Sequence, residues 1–250
     1  MTADGDTVLA THGLSKAFGG LRVFSGIDFA LTRGECHAVI GPNGAGKSTF
    51  VALLTGLLAP SGGQILLDGQ DITGLPPAQR VAAGLVRTFQ INTLFPSLTP
   101  LQSLVLALCQ RDGLQRPSLR AVARQHAQID EAEALLVQFG LQGCAGVPTG
   151  SLAYGQQRLL EVALACALKP RVLLLDEPAA GLTTAQGHAL LDQVTQLAAG
   201  TTLLFIEHDM GLVFRFAQRV SVLAGGALIA QGSPDAIRRD PAVRAAYLGQ

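Results

Sequence analysis

Gly-Pro-Asn-Gly-Ala-Gly-Lys-Ser-Thr, residues 41–49, matches the spacing G-x-x-x-x-G-K-[ST] in full. It follows the apolar run 36–40 and precedes the helix-like stretch 50–58. Strand, tight loop and helix form the context in which this spacing cradles phosphate. A triphosphate carries several negative charges on tetrahedral groups, so it needs converging N–H donors, a fixed cation and little side-chain bulk. Gly41, Gly44 and Gly46 let the backbone curl into an anion nest, completed by Pro42, Asn43 and Ala45. The helix entered through Lys47, Ser48 and Thr49 points its unpaired N–H groups and positive end at the ligand. Lys47 is placed to reach the β and γ phosphates, and the Ser48 hydroxyl to hold Mg²⁺. These residues call for ATP with Mg²⁺.

Composition narrows what surrounds this loop. At 250 residues the chain can bury a sizeable core as one domain or one domain with an insertion. Charged residues are 14%, with 18 Lys plus Arg against 18 Asp plus Glu, so no basic field exists to hold a nucleic acid. The mean hydropathy of +0.36 is high, yet the apolar runs stay well short of the roughly 20 residues of a membrane span. The acidic N-terminus, Met-Thr-Ala-Asp-Gly-Asp, is no secretory signal. A cytosolic chain with surplus apolar surface for a partner is the expectation. Cys36, Cys109, Cys144 and Cys166 form no C-x-x-C pair and read as reduced, small apolar residues.

Along the chain, residues 7–34 alternate apolar and polar groups and predict short antiparallel strands; 63–70 predicts a hairpin turning at Asp68-Gly69. Short continuous apolar runs at 36–40, 85–89, 172–175 and 203–206 predict a parallel sheet covered on both faces. Between Pro96 and Tyr154 the pattern is helical without strands, after which the sheet resumes. A hairpin around Gly225-Gly226 and helices over 234–239 and 241–248 close the chain. The fold class is therefore α/β: a P-loop NTPase core with a parallel sheet, an N-terminal antiparallel β-subdomain and an inserted α-helical subdomain. We assign 1–95 and 156–232 to the nucleotide-binding core, 96–155 to the helical subdomain and 233–250 to the C-terminal helices.

Further chemistry sits at strand ends. Asp176 and Glu177 close the run Leu173-Leu174-Leu175, where ligands bind in open parallel sheets. Asp176 suits holding Mg²⁺ through water, and Glu177 suits the orientation and deprotonation of an attacking water. His208, after Phe205-Ile206-Glu207, is placed to donate to the γ-phosphate. The other histidines read as structural.

The order of phosphate loop, Gln90, Leu152-Ala153-Tyr154-Gly155-Gln156-Gln157-Arg158, Leu-Leu-Leu-Asp-Glu-Pro and Glu207-His208 resembles the ATP-binding subunit of ABC transporters over essentially the whole chain. Val86-Arg87-Thr88-Phe89-Gln90, the tyrosine in the 152–158 signature, Glu207-His208-Asp209-Met210 and Ala246-Tyr247-Leu248-Gly249 are similar to its branched-chain amino acid uptake branch. That resemblance implies an ATPase motor of an importer for branched-chain or related small amino acids and amides. It implies a second ATP-binding subunit, identical or not, packed head to tail, two integral membrane permeases, and indirectly a periplasmic solute-binding protein. The chain would then sit on the inner face of the membrane through its permeases. Each ATP would lie between the phosphate loop of one chain and Ala153, Tyr154, Gly155 and Gln156 of the other. Gln90 would ligate Mg²⁺ and sense the water, Phe18 would stack on adenine where the alternative is a core position, and residues 91–115 would meet a permease. The family's usual signature serine is Ala153 here, which leaves the Tyr154 hydroxyl as an alternative donor, and its usual aspartate after Leu182 is Thr183. The rival readings are an ATPase of a lipopolysaccharide-type exporter and a soluble ABC ATPase outside transport.

Lys47 carries the sharpest prediction. Its loss in Lys47→Ala abolishes productive ATP binding, removing charge-assisted contacts worth about 3 kcal/mol or more. Calorimetric titration that returned wild-type affinity would remove Lys47 from the site.

Overall fold

The computed structural model describes residues 6–88, 94–114, 125–197 and 200–248. The chain divides into two compact units, one of Met1–Arg87, Arg171–Pro178 and Ala198–Gln250, the other of Thr88–Pro170 and Ala179–Leu197.

The first unit holds two sheets. Strands β1 (Thr7–Phe18), β2 (Leu21–Thr32), β4 (Gly62–Leu67) and β5 (Gln70–Asp71) make an antiparallel sheet in the order β2-β1-β4-β5. The second sheet contains β3 (Cys36–Ile40), β6 (Leu85–Arg87), β7 (Val172–Asp176), β8 (Thr202–Ile206), β9 (Arg219–Ala224) and β10 (Ala227–Gly232), in the order β10-β9-β3-β8-β7-β6. From β9 to β6 its pairs are parallel, and β10 folds back antiparallel on β9. Strands β3, β7 and β8 are short, apolar and almost wholly buried, as strands with both faces covered must be. The expected short strands over 7–34 are instead two strands of 12 residues. Bulges, such as the one between Thr11 and Leu14, break the alternation without ending the strand. The run 85–89 forms strand only to Arg87, and Phe89 lies outside the described residues.

Between the sheets runs α1 (Lys47–Leu54), the helix entered from the glycine-rich loop. It buries Phe50, Val51, Leu53 and Leu54 in one apolar cluster with residues of both sheets, among them Phe24, Phe29, Leu174 and Ile206. The Phe50 ring meets Phe24 and Phe29 edge-on, with centroids 6.3 and 5.5 Å away. Each buried aromatic contributes roughly 1.5–3 kcal/mol, so the helix has a deep, shaped seat. Its C-terminal end is held by Arg80 from α2 (Pro77–Ala82), which donates to the carbonyls of Leu53 and Leu54 at 2.7 Å. Arg80 also reaches Leu75 O at 2.9 Å and Thr73 O at 2.7 Å. A guanidinium here satisfies carbonyls that helix geometry leaves open and sits at the negative end of the dipole. Helices α7 (Met210–Phe216), α8 (Pro234–Arg239) and α9 (Pro241–Leu248) belong to the same unit.

The second unit is helical: α3 (Pro100–Arg111), α4 (His126–Gln138), α5 (Tyr154–Ala167) and α6 (Thr184–Leu197). Thr99 starts α3 with a reciprocal capping box to Gln102. Arg111 at its end donates to both Glu131 oxygens on α4 at 2.8 Å and to Ala167 O on α5 at 3.0 Å. That contact holds the Glu131 carboxyl at about 2, below its usual range. The expected helical segment 96–155 falls inside this unit, which also takes in α5 and α6.

Arg80 is fully buried, so Arg80→Met strands several carbonyls. Urea unfolding of this variant is expected to lose roughly 2–4 kcal/mol. An unchanged midpoint would show that α1 needs no clamp.

Candidate functional site

Strands β3, β8 and β7 are neighbours, and their register puts Val39 opposite Ile206 and Ile206 opposite Asp176. The loop from Gly41, His208 and Glu177 therefore leave the sheet at one edge, the C-terminal ends of three adjacent parallel strands. Residues far apart in sequence meet because the strand order does not follow the chain.

Gly46 is the N-cap of α1 with φ +96°, a left-handed conformation that suits glycine. A Cβ there would stand 2.7 Å from Phe24 Cζ, so the ring seating α1 also forbids bulk in the loop. The first-turn N–H groups of α1, from Lys47 to Thr49, have no intrahelical acceptor and no side-chain cap at Gly46, which leaves this helix end suited to an anion. Lys47 Nζ donates to Gly41 O at 2.7 Å and Pro42 O at 3.0 Å, lying back across its own loop. Burial lowers its pKa, and the Glu177 carboxylate works against that. An ammonium beside free helix amides fits a polyphosphate, and Ser48 in the same turn, with Asp176, fits a divalent cation.

Asp176 is 2% exposed, and burial pushes its pKa up while the Arg87 guanidinium opposes the shift. Glu177 follows with φ +46°, held by its N–H donating to Ile206 O at 2.9 Å and by the buried Pro178. Left-handed backbone at a non-glycine residue costs on the order of 1 kcal/mol or more and clusters at sites that need a fixed side chain. His208 is 67% exposed at the side chain, and its N–H donates to the buried Glu207 carboxylate at 3.2 Å. Phe18, at the tip of the β1–β2 hairpin, is 47% exposed with Lys16 Nζ 4.9 Å over its ring, so the core alternative falls. The same hairpin brings Val23 toward Gly46. Gln90 lies outside the described residues, as does part of 91–115.

In the helical unit, α5 starts at Tyr154 with Ala153 as N-cap. Alanine offers no capping oxygen, so only Gln156 Oε1 acts there, accepting from the Ala153 N–H at 3.1 Å. Ala153 and Tyr154 are exposed, and the first turn opens to solvent as an anion-attracting end. The Tyr154 hydroxyl donates to Ala180 O at 2.9 Å in its own chain, so it is not the idle donor the sequence suggested. A Cβ at Gly181, φ +78°, would press on that ring at 3.1 Å. Thr183 Oγ1 accepts from the Gln186 N–H at 3.3 Å and caps α6. Two features escaped sequence reading. Arg80 was given no role from the sequence although it clamps the end of α1, and Tyr247 on α9, noted only as a marker, comes within reach of the Gly41 backbone.

Loop, acids and strand order define a P-loop nucleotide-binding ATPase core. The family described as "ABC transporter" matches residues 24–180, and one described as "Branched-chain amino acid ATP-binding cassette transporter" matches 227–250. The chain is 40% identical over 250 residues to the high-affinity branched-chain amino acid transport ATP-binding protein LivG of Escherichia coli (strain K12), covering 97% of this chain and 98% of that one. It is 39% identical to BraF of Pseudomonas aeruginosa with the same coverage. A crystal structure of the ADP conformation of an ATP-binding cassette of an ABC transporter superposes with TM-score 0.84 at 28% identity, covering 98% of this chain and 99% of that one. The chain belongs to the ABC transporter family as one of its ATP-binding, ATP-hydrolysing cassettes.

Ala153→Ser supplies the missing N-cap oxygen and is expected to stabilise the protein by about 0.5–2 kcal/mol. Tyr154→Phe deletes one hydrogen bond and is expected to lose about 0.5–1.5 kcal/mol. Thermal unfolding of both variants without nucleotide decides; a destabilised serine variant would mean that this end of α5 is not short of a cap.

Proposed function

We propose that this chain is the motor subunit of an importer for branched-chain amino acids or related small amino acids and amides. It works as a pair with a second ATP-binding subunit, docked on two integral membrane permeases that receive solute from a periplasmic binding protein. The observation that carries the chemistry is the convergence of Lys47, Asp176, Glu177 and His208 on one sheet edge. The match at 227–250 supports the importer reading over the exporter. Among the described residues no helix is long and apolar enough to cross a membrane, which suits a subunit that reaches the bilayer through others.

Lys47 leaves its loop carbonyls for the β and γ phosphate oxygens, while the α1 amides hold the chain of phosphates in line. Ser48 and Asp176, with Gln90, would hold a Mg²⁺ ion, which would neutralise charge on the phosphate oxygens. Glu177 takes a proton from water as its oxygen attacks the γ-phosphorus, and the bond to the bridging oxygen breaks with its electrons going to ADP. His208 donates to the γ-phosphate and registers its loss. Phe18 stacks on the adenine. The first turn of α5, from Ala153 to Gln156, closes over the γ-phosphate held by the other chain. With alanine at position 153 that closure relies on backbone N–H groups and the helix end.

A site shared between two chains makes hydrolysis bimolecular. Specific ATPase activity of the isolated chain is expected to rise with its own concentration, and to rise further in vesicles with the permeases and a solute-loaded binding protein. A fast turnover independent of concentration would contradict the shared site. Stimulation by none of the branched-chain amino acids would contradict the solute.

A further inference from the structure

Asp176 is the group proposed above to take the metal, yet its carboxylate already has a cation from its own chain. Arg87 ends β6, the edge strand beside β7, where it pairs in register with Leu174. From there its guanidinium lies 2.5 Å from Asp176 Oδ2. The carboxylate is 2% exposed, and a charge so far from water must be paired. Lys47 does not fill that need, since its ammonium lies on the carbonyls of Gly41 and Pro42.

We propose that Arg87 is the internal counter-ion that occupies Asp176 when no metal is bound, so Mg²⁺ enters with nucleotide only by displacing a guanidinium. A divalent cation drawn to this buried carboxylate meets a guanidinium already in place on Oδ2, and the two positive charges repel. The chain therefore discriminates against free metal and ties metal capture to nucleotide, whose phosphates supply the additional negative charge that shifts the balance. Arg87 is a positioning residue in this account, acting through Asp176.

The inference rests on Asp176 as the metal group, and the experiment separates the two. Mn²⁺ binding is followed by electron paramagnetic resonance, with and without a non-hydrolysable ATP analogue, in wild type, Arg87→Gln, Arg87→Lys and Asp176→Asn. If the engaged pair is about nine-tenths populated, Arg87→Gln binds Mn²⁺ about tenfold more tightly than wild type, because the competing state is gone. Arg87→Lys, which keeps a cation, stays near wild type. Equal or weaker Mn²⁺ binding by Arg87→Gln overturns the competition and leaves Arg87 a mere prop for Asp176. Wild-type affinity in Asp176→Asn overturns the metal reading itself, and the competition with it. Should Arg87→Gln not fold, wild-type protein labelled with ¹⁵N-arginine answers the same question. The side-chain Nε resonance missing from Arg87→Lys must shift when Mg²⁺ and analogue are added together. A resonance that stays in place overturns the proposal.

Discussion

The placement of one helix end governs this molecule. The first turn of α1 presents bare N–H groups to an anion, and they are useful only if the helix cannot shift to satisfy them elsewhere. Phe50 locks the helix against Phe24 and Phe29, and Arg80 holds its C-terminal carbonyls. Fixed at both ends, the helix keeps its donors aimed before any ligand arrives. Phe24 does double duty, since it also stands where a side chain at Gly46 would go.

Around this end two charges of the site are neutralised internally. Lys47 rests on loop carbonyls and Asp176 on Arg87, so both charges are met within the chain. Glu177 differs, being held in a strained backbone conformation beside the lysine rather than ion-paired by the loop. A base needs a lone pair available for water, and a carboxylate locked in a salt bridge would lack one. The same separation of duties marks α5, where the Tyr154 hydroxyl is spent on Ala180 while the helix N-terminus stays open.

Much of this was legible in the sequence because the informative residues are local. The phosphate loop, the acids ending β7 and the histidine after β8 each carry their spacing within a few positions. The apolar runs gave the strands, since strands buried on both faces need no alternation. What stayed hidden is non-local. Nothing in the spacing of Arg80 says that it will fold under α1, and nothing in Arg87 says that β6 will lie beside β7. The two long strands of 7–32 were read as short pieces because bulges interrupt the period that marks a strand. The engagement of the Tyr154 hydroxyl stayed hidden for a related reason: its acceptor is a carbonyl 26 residues on.

The central claim is that Glu177 hydrolyses ATP in a site closed by two chains. Mass measurement by light scattering on Glu177→Gln, with saturating ATP and Mg²⁺, tests it most directly. Removing the base while keeping the binding groups should trap a paired species, twice the mass of the chain, that persists because its ATP is not consumed. A monomer under those conditions, or ATP consumed by the variant at the wild-type rate, would contradict the account.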